Sequence, residues 1–249
     1  MNEIDTTADG LETQDFHLKS PAGETNAYLA KPIGRENLPV VLIAEEIFGL
    51  NDHIRDIARR FAHQGYFAIA PDFLTRHGGV AGVSDIATLR ATVARIPDGE
   101  TMDDFDAALD FAKHNGGDPT RAAIVGFCYG GRIVWLYAAH NPELRAAIPW
   151  YGRLESERTP AQPRWPLDVA SDIKVPTLGL YGGADASIPL AQVEEMRRRL
   201  RAAGAPAEIV VYEGAPHAFF ADYRDSYRRE PAEDAWRRTL AFLRENGVR

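Results

Sequence analysis

The only cysteine of the chain, Cys128, lies where a thiol can act as a nucleophile. It follows the apolar run Ala122–Val125 and stands in the motif Gly126-Phe127-Cys128-Tyr129-Gly130-Gly131. This glycine pattern predicts a nucleophile elbow, a sharp strand-to-helix turn that exposes its central side chain on a strained backbone. Gly126 and Gly130 suit the turn because a Cβ there would collide with neighbouring backbone. The alternative is a buried structural cysteine in an ordinary loop.

The helix expected directly after Cys128, through Arg132–Tyr137, directs the positive end of its dipole at the sulfur. That field favours the thiolate, which is the attacking form of cysteine. The sequence therefore predicts acyl transfer through a covalent bond to sulfur.

Two later loops contain the base and the acid that such a nucleophile requires. Asp185 follows the predicted strand Thr177–Tyr181, and His217 follows the predicted strand Ala207–Tyr212. The chain order of nucleophile, acid and histidine is typical of α/β-hydrolases. His217 would accept the thiol proton and Asp185 would hold the imidazole. Taken alone, Asp185 could simply cap a turn and His217 could be an ordinary loop histidine.

Backbone amides are the expected donors to a developing oxyanion because they need no reorganisation. The amide of Tyr129, directly after the nucleophile, is one candidate. Ile47, in the loop Glu45–Gly49 after the apolar run Pro39–Ala44, is the second.

The sequence resembles the dienelactone hydrolase (carboxymethylenebutenolidase) family from about residue 25 to residue 245. The matching segments are Glu46-Ile47-Phe48-Gly49, Gly65-Tyr66, Pro71-Asp72, Gly126–Gly131, Tyr151-Gly152, Gly182–Asp185 and His217-Ala218-Phe219. The resemblance implies an α/β-hydrolase fold and a catalytic triad of Cys128, His217 and Asp185. It also implies that Glu46 bonds the resting thiol until substrate binding rearranges the site. The alternative for Glu46 is a surface carboxylate beside Glu45.

The sequence departs from the family where the substrate carboxylate is bound. Characterised members use arginines, one of them a few residues after the histidine, but here the first arginine in that stretch is Arg224. Arg76, Arg90 and Arg153 are our candidates for binding an anionic substrate, and a solvated surface position is the alternative for each. Aromatic residues could instead line an apolar pocket, namely Trp150, Tyr151, Phe219 and Phe220.

Alternating strand and helix patterns predict the elements that position these residues. We expect an α/β fold with a mostly parallel central sheet of about eight strands, helices on both faces and an antiparallel hairpin at the N-terminal edge. Residues 1–14 are predicted to be a polar tail and residues 15–249 a single α/β-hydrolase domain. Residues 72–100 are predicted to form part of a cap near the site, and a proline- and charge-rich connection spans residues 152–174.

Composition excludes several classes of function. The net charge of −8 argues against a nucleic-acid or anionic-membrane partner, and no apolar run approaches the roughly 20 residues of a membrane span. The polar N-terminus and the single cysteine favour a cytoplasmic protein without a disulfide. The histidines lack metal-ligand spacing, so we expect no metal and no cofactor. The expected partner is a small ester or lactone, and the protein would be a monomer or homodimer.

These patterns predict a hydrolase of activated esters or lactones that works through a cysteinyl thioester. A thiolate leaves more easily than an ordinary alkoxide, so substrates with stabilised leaving groups, such as enol lactones or aryl esters, are expected. The alternative is a ligand-binding or stress-related protein on the same fold, with weak or no hydrolase activity.

Overall fold

A computed structural model describes residues 6–80 and 82–249. The chain begins with an antiparallel hairpin of β1 (Leu11–Ser20) and β2 (Gly23–Pro32), in register from Leu11 opposite Pro32 to Ser20 opposite Gly23. The predicted hairpin is confirmed, but residues 11–14, predicted as tail, belong to the strand.

The remaining elements alternate between strand and helix, as predicted. The strands are β3 (Leu38–Ala44), β4 (Phe67–Pro71), β5 (Gly117–Phe127), β6 (Ala146–Trp150), β7 (Thr177–Gly182) and β8 (Ala207–Tyr212). The helices are α1 (Asp52–His63), α2 (Ile86–Val93), α3 (Asp98–His114), α4 (Tyr129–His140), α5 (Pro166–Val169), α6 (Leu190–Ala203) and α7 (Arg229–Glu245), with a short 3₁₀ turn at Thr75–His77.

Within the described residues, eight strands form one sheet in the order β1-β2-β4-β3-β5-β6-β7-β8. The pairs β1–β2 and β2–β4 are antiparallel, and all pairs from β4 to β8 are parallel. This arrangement confirms the predicted fold class. The chain leaves β3 for β4 on one side and returns to β5 on the other, so a crevice opens between the carboxyl ends of β3 and β5. In parallel sheets this crevice is where ligands bind.

Local sequence accounts for several element boundaries. The Asn51 side chain accepts a hydrogen bond from the amide of Ile54 at 3.1 Å and thereby caps α1. Helix α3 begins at Asp98, directly after Pro97, and the acidic residues Asp98 and Glu100 suit its first turn. Strand β3 is buried throughout, as its continuous apolar run predicts. No helix in the described part of the chain is long and apolar enough to cross a membrane.

Candidate active site

Cys128 lies at the crevice, between the end of β5 and the start of α4. Its φ of 56° and ψ of −111° form the strained turn that the glycine motif predicts. A Cβ on Gly130 would lie 2.1 Å from the carbonyl oxygen of Ala44, and one on Gly126 would lie 2.6 Å from the Ala44 Cβ. The close approach of β3, β5 and α4 therefore requires both glycines. The half-buried cysteine side chain faces a cavity.

His217 and Asp185 meet at the carboxyl ends of β8 and β7. Oδ2 of Asp185 lies 2.6 Å from Nδ1 of His217, and the Asp185 side chain is only 1% exposed. The other carboxylate oxygen accepts bonds from the amide and hydroxyl of Ser187 at 2.8 and 2.7 Å. The two loops are joined by the amide of Ala184, which donates to the carbonyl of Ala215 at 3.0 Å. The carboxylate is therefore held rigidly against the imidazole.

The pKa values of His217 and Asp185 depend on the charges around them. Burial lowers the pKa of His217, but the Cys128 sulfur and the Asp185 carboxylate outweigh burial and raise it to about 10. Burial disfavours the charge of Asp185, yet hydrogen bonds from His217 and Ser187 hold the pKa of that carboxyl below its usual value. The surroundings of His217 therefore favour its protonated imidazolium form.

The two amides predicted to bind an oxyanion border the same cavity. Ile47 follows β3 and Tyr129 begins α4, and both line the cavity beside Cys128. Among the residues that the structure describes, neither amide has a hydrogen-bond acceptor. The amide of Tyr129 lies at the positive end of α4, where negative charge is stabilised.

Glu46 is fully buried, so the alternative of a surface carboxylate is wrong. The Tyr223 hydroxyl donates to its Oε2 at 3.1 Å, and Nη1 of Arg224 lies 3.9 Å from its Oε1. Within residues 6–80 and 82–249, Oε1 has no hydrogen-bond partner, so the expected bond between the resting thiol and Glu46 is not formed here. The neighbouring Glu45 points elsewhere and accepts from the amide of Phe73 at 3.0 Å.

A cavity of about 510 Å³ opens above Cys128. One wall comes from α2 and the other from the connection after β6. Its lining is Ile47, Phe48, Ile86, Arg90, Val93, Ala94, Cys128, Tyr129, Arg132, Arg153, Ser156, Glu157, Thr159, Gln162, Trp165, Ser187, His217 and Arg224. Four arginines and one glutamate give this lining an excess of positive charge, in a chain with a net charge of −8.

Two of the three arginines predicted to bind substrate lie in this cavity. Arg90 comes from α2 and Arg153 from the connection after β6, and neither side chain has a hydrogen-bond or ion-pair partner among the described residues. Arg76 lies outside the cavity, which corrects our prediction. Its guanidinium binds both carboxylate oxygens of Asp104, at 3.1 and 2.6 Å, so it serves as a structural ion pair.

The predicted aromatic lining also needs correction. Trp150, Tyr151 and Phe219 are fully buried and do not line the cavity. The rings of Trp150 and Phe219 lie 6.0 Å apart in the core beneath the site. The three rings pack against one another in the core, and the local sequence does not predict this direction.

Several residues of the site were missed by sequence reasoning. Arg132 binds Asp98 with two bonds of 2.6 and 2.9 Å and stacks on Trp165 with its Cζ 4.3 Å from the ring centroid. The Gln162 amide group donates to the carbonyl of Val93 at 2.7 Å and to the Tyr129 hydroxyl at 3.3 Å. These contacts anchor the connection after β6 to α2 and α4. No local sequence pattern predicts these contacts, because the residues that form them are far apart in the sequence.

Ser187, Tyr223 and Arg224 were missed as well, although each is close in sequence to a predicted residue. Ser187 is two positions after Asp185, where a hydroxyl commonly bonds an aspartate in a turn. Tyr223 and Arg224 follow His217 and reach Glu46. In the described part of the chain, no cluster of three or more histidine, cysteine, aspartate or glutamate side chains is arranged to bind a metal ion.

Comparison with known proteins shows the family of this chain. Residues 25–247 match the sequence profile of the "Dienelactone hydrolase family". The chain is 47% identical over 247 residues to a Methylorubrum extorquens protein named "Putative carboxymethylenebutenolidase", covering 98% of this chain and 85% of the relative. A Bradyrhizobium protein named "Probable 2-oxo-3-(5-oxofuran-2-ylidene)propanoate lactonase" is 33% identical over 220 residues, or 88% of each chain.

A solved structure supports the same assignment. The crystal structure of a "Putative Dienelactone Hydrolase" from Klebsiella pneumoniae superposes with a TM-score of 0.91 at 48% identity, covering 94% of this chain and 98% of that one. The match in sequence extends along nearly the whole chain, and the match in fold includes the strand ends that bear the site. The chain therefore belongs to the dienelactone hydrolase family and is an ester or lactone hydrolase.

Proposed function

We propose that the protein hydrolyses activated, anionic esters or lactones by covalent catalysis at Cys128, with His217 as the base and Asp185 as its support. The observation that carries the proposal is the position of His217. Its imidazole lies between the Asp185 carboxylate, 2.6 Å away, and the Cys128 sulfur, and these two groups together raise the pKa of the imidazole to about 10 against the effect of burial. This is the arrangement that a cysteine nucleophile with a histidine base requires.

The first half of the reaction acylates the sulfur. The Cys128 thiolate attacks the carbonyl carbon, an S–C bond forms, and the carbonyl π electrons move to oxygen. The amides of Ile47 and Tyr129 stabilise this oxyanion. When the carbonyl re-forms, the bond to the leaving oxygen breaks, and the imidazolium of His217 donates its proton to that oxygen.

The second half returns the enzyme to its starting state. His217, now neutral, takes a proton from water as the water oxygen attacks the thioester carbon. Collapse of the new tetrahedral oxyanion breaks the C–S bond, and the sulfur leaves as thiolate beside the imidazolium. The product is released as a carboxylic acid, which loses its proton to solvent and becomes a carboxylate.

The leaving group decides which substrates react. In the first tetrahedral intermediate, sulfur and the leaving oxygen compete for departure, and a thiolate is expelled more easily than an alkoxide. Hydrolysis therefore proceeds when the leaving oxygen is stabilised as an enolate or aryloxide. Enol lactones and aryl esters meet this condition.

The charge of the substrate follows from the cavity. Arg90 and Arg153 line it without anionic partners among the described residues, and Arg224 contacts the face of Phe48, with its Cζ 5.0 Å from the ring centroid. A guanidinium without a partner in a partly enclosed cavity is suited to bind a carboxylate. We therefore propose an enol lactone or aryl ester that also carries a carboxylate.

The covalent step is tested by comparing wild-type protein with Cys128→Ala. Turnover of an enol lactone and of p-nitrophenyl acetate is measured, and mass spectrometry of acid-quenched samples detects an acyl group on Cys128. We expect turnover and an acyl adduct only with the wild-type protein. Equal rates in the two proteins would reject the proposal, and binding of the lactone without turnover in wild type would favour the ligand-binding alternative.

The charge state of the site gives a second measurement. An NMR titration of the His217 ring should show that its pKa, about 10 in the folded protein, falls when either supporting group is removed. The decrease should be larger in Cys128→Ala than in Asp185→Asn, because the sulfur charge raises the imidazole pKa more than the carboxylate does. An unchanged pKa in Cys128→Ala would contradict an imidazolium–thiolate pair.

A further inference from the structure

A buried imidazole and a largely buried carboxylate meet close to the active site, and the proposed reaction uses neither. The side chain of His53, on α1, is 1% exposed, and its Nδ1 lies 3.4 Å from Oδ1 of Asp222, in the loop that follows His217. Within the described residues, neither ring nitrogen of His53 has a hydrogen-bond partner, and the same holds for Oδ1 of Asp222. Burial of polar atoms with so little compensation requires an explanation.

Helix α1 holds Asp222 through a second residue. The guanidinium of Arg60 donates to Oδ2 of Asp222, and its Nε lies 2.6 Å from Oδ2 of Asp56, whose side chain is fully buried. Burial raises the pKa of the Asp222 carboxyl, but His53 and Arg60 outweigh burial and hold that pKa below its usual value. Asp222 is therefore a carboxylate that pairs with two residues of α1.

The two residues after Asp222 both reach the active site. The Tyr223 ring packs against the His53 ring, with centroids 4.7 Å apart, and the Tyr223 hydroxyl donates to Oε2 of Glu46 at 3.1 Å. Arg224 lines the cavity, and its Nη1 lies 3.9 Å from Oε1 of Glu46. The contacts of Asp222 with α1 therefore fix the point from which Arg224 extends into the cavity.

The Arg224 guanidinium keeps donors for a ligand. Its distance of 3.9 Å from Oε1 of Glu46 is too long for a hydrogen bond, and Oε1 has no hydrogen-bond partner in the described part of the chain. The guanidinium also lies over the Phe48 ring, with its Cζ 5.0 Å from the centroid. A long side chain binds an anion better when it is already ordered, because less conformational freedom is lost on binding.

We propose that His53 and Asp222 are positioning residues for recognition of the substrate carboxylate: they hold the segment Asp222–Arg224 on α1, so that Arg224 meets the carboxylate from a fixed position. The inference rests on the proposed function, in which the substrate is anionic. Both residues lie outside the cavity, and no bond forms or breaks at either of them. An imidazole suits this position because its ring packs on Tyr223 while its Nδ1 faces the Asp222 carboxylate.

The test is Asp222→Asn, which keeps the shape of the side chain and removes its charge. We expect KM for a carboxylate-bearing enol lactone to rise about threefold to fivefold, less than the roughly tenfold rise expected when Arg224→Gln removes the contact itself. KM for the neutral p-nitrophenyl acetate, and kcat for both substrates, should stay within about twofold of wild type, because the catalytic triad is untouched. A general loosening of the fold would instead change both KM values alike.

A double-substitution cycle shows whether Asp222 acts through Arg224. When Arg224→Gln is already present, adding Asp222→Asn should change KM for the lactone by less than about 1.5-fold, because the group that Asp222 positions is gone. Two independent effects would multiply.

Asp118→Asn is the matched control. Asp118 also pairs with an arginine, Arg121, at 2.7 Å, and its side chain is 17% exposed, against 16% for Asp222. It lies at the start of β5, and Cys128 follows the other end of that strand. This variant loses a comparable ion pair and should keep wild-type KM for both substrates.

Three results would overturn this inference and leave the proposed function standing. They are an unchanged KM for the lactone in Asp222→Asn, a rise that is equal for both substrates, and a rise that persists in full beside Arg224→Gln. If Asp222→Asn does not fold, the same cycle is run with His53→Phe, which keeps a ring against Tyr223 and removes both nitrogens, and an unchanged KM for the lactone again overturns the inference. Equal turnover by wild type and Cys128→Ala would instead overturn the proposed function.

Discussion

The cavity has two sides that are built by different means. The catalytic floor comprises the loops at the carboxyl ends of β3, β5, β7 and β8, which bear Glu46, Cys128, Asp185 and His217. The cap comprises α2 and residues 153–165, which bear Arg90 and Arg153. The floor is joined by backbone contacts: the amide of Cys128 donates to the carbonyl of Trp150 at 3.1 Å, and the amide of Gly183 donates to that of Tyr212 at 2.7 Å.

The cap is held by side chains. Gln162 joins the two parts of the cap by donating to the carbonyl of Val93, and it reaches the Tyr129 hydroxyl of α4 at 3.3 Å. Arg132 of α4 holds the cap through the carbonyl of Arg164, 3.0 Å away. Backbone contacts between adjacent parallel strands allow little variation, whereas side-chain contacts can be exchanged one at a time. We therefore expect the floor to determine the reaction and the cap to determine the substrate.

The largest effect should follow from removing the base of the floor. His217→Gln should lower kcat by about 10³- to 10⁴-fold, because the imidazole is the proposed proton donor and acceptor of both halves of the reaction. KM and thermal stability should stay close to wild type. Steady-state kinetics with an enol lactone measure this, and His140→Gln, on the exposed side of α4, should behave as wild type. A kcat within tenfold of wild type would show that the floor does not set the rate.

The backbone of the floor should tolerate no added atom at Gly130. Gly130→Ala places a Cβ 2.1 Å from the Ala44 carbonyl oxygen and should lower the free energy of unfolding by more than about 4 kcal/mol. Urea denaturation measures the change. Gly99→Ala is the control, because a Cβ there meets no atom within 4 Å and lies in α3, where alanine favours the helix. Similar free energies of unfolding for Gly130→Ala and Gly99→Ala would contradict the close approach of Gly130 to the backbone of β3.

Cutting the anchor of the cap should have an intermediate effect. Arg132→Gln breaks the two-bond pair with Asp98 and should destabilise the protein by about 2–3 kcal/mol, less than for a fully buried pair since Asp98 is partly exposed. KM should rise more than kcat falls, because the cap wall loosens while the floor stays in place. Arg198→Gln removes an exposed pair with Glu195 and should leave stability close to that of the wild type, because solvent screens such a pair. If Arg132→Gln lowered kcat and left KM unchanged, the cap would act on the reaction and not on substrate binding, which would contradict the roles proposed for the two sides.

The smallest effect should come from the free arginines of the cap. Arg90→Gln and Arg153→Gln should each raise KM for a carboxylate-bearing lactone about tenfold, as expected for one charge-assisted contact. KM for the neutral p-nitrophenyl acetate should not change. Arg201→Gln, on the exposed end of α6, serves as the control. Equal changes in KM for both substrates would mean that the arginines shape the cavity without recognising charge.

The sequence predicted the residues of the catalytic floor better than it predicted the contacts of the arginines. The positions of Cys128, Asp185 and His217 at strand ends could be predicted because strand order and glycine spacing are local patterns. Arg90 and Arg153 were predicted as candidates and lie in the cavity, but Arg76 had the same local appearance and pairs with Asp104 instead. The residues next to an arginine in the sequence do not predict which carboxylate it will pair with in the fold.

The sequence by itself determined the alternation of strands and helices, the strained turn at Cys128 and the order of the chemically active residues, because each depends on neighbours a few positions away. Only the tertiary structure decided that Tyr151 is buried against the His217 ring and not in the cavity, that Tyr223 holds Glu46, and that Arg132 anchors the cap. These contacts join residues far apart in the chain. Their geometry depends on how the sheet twists and how the helices pack against it, which no local pattern encodes.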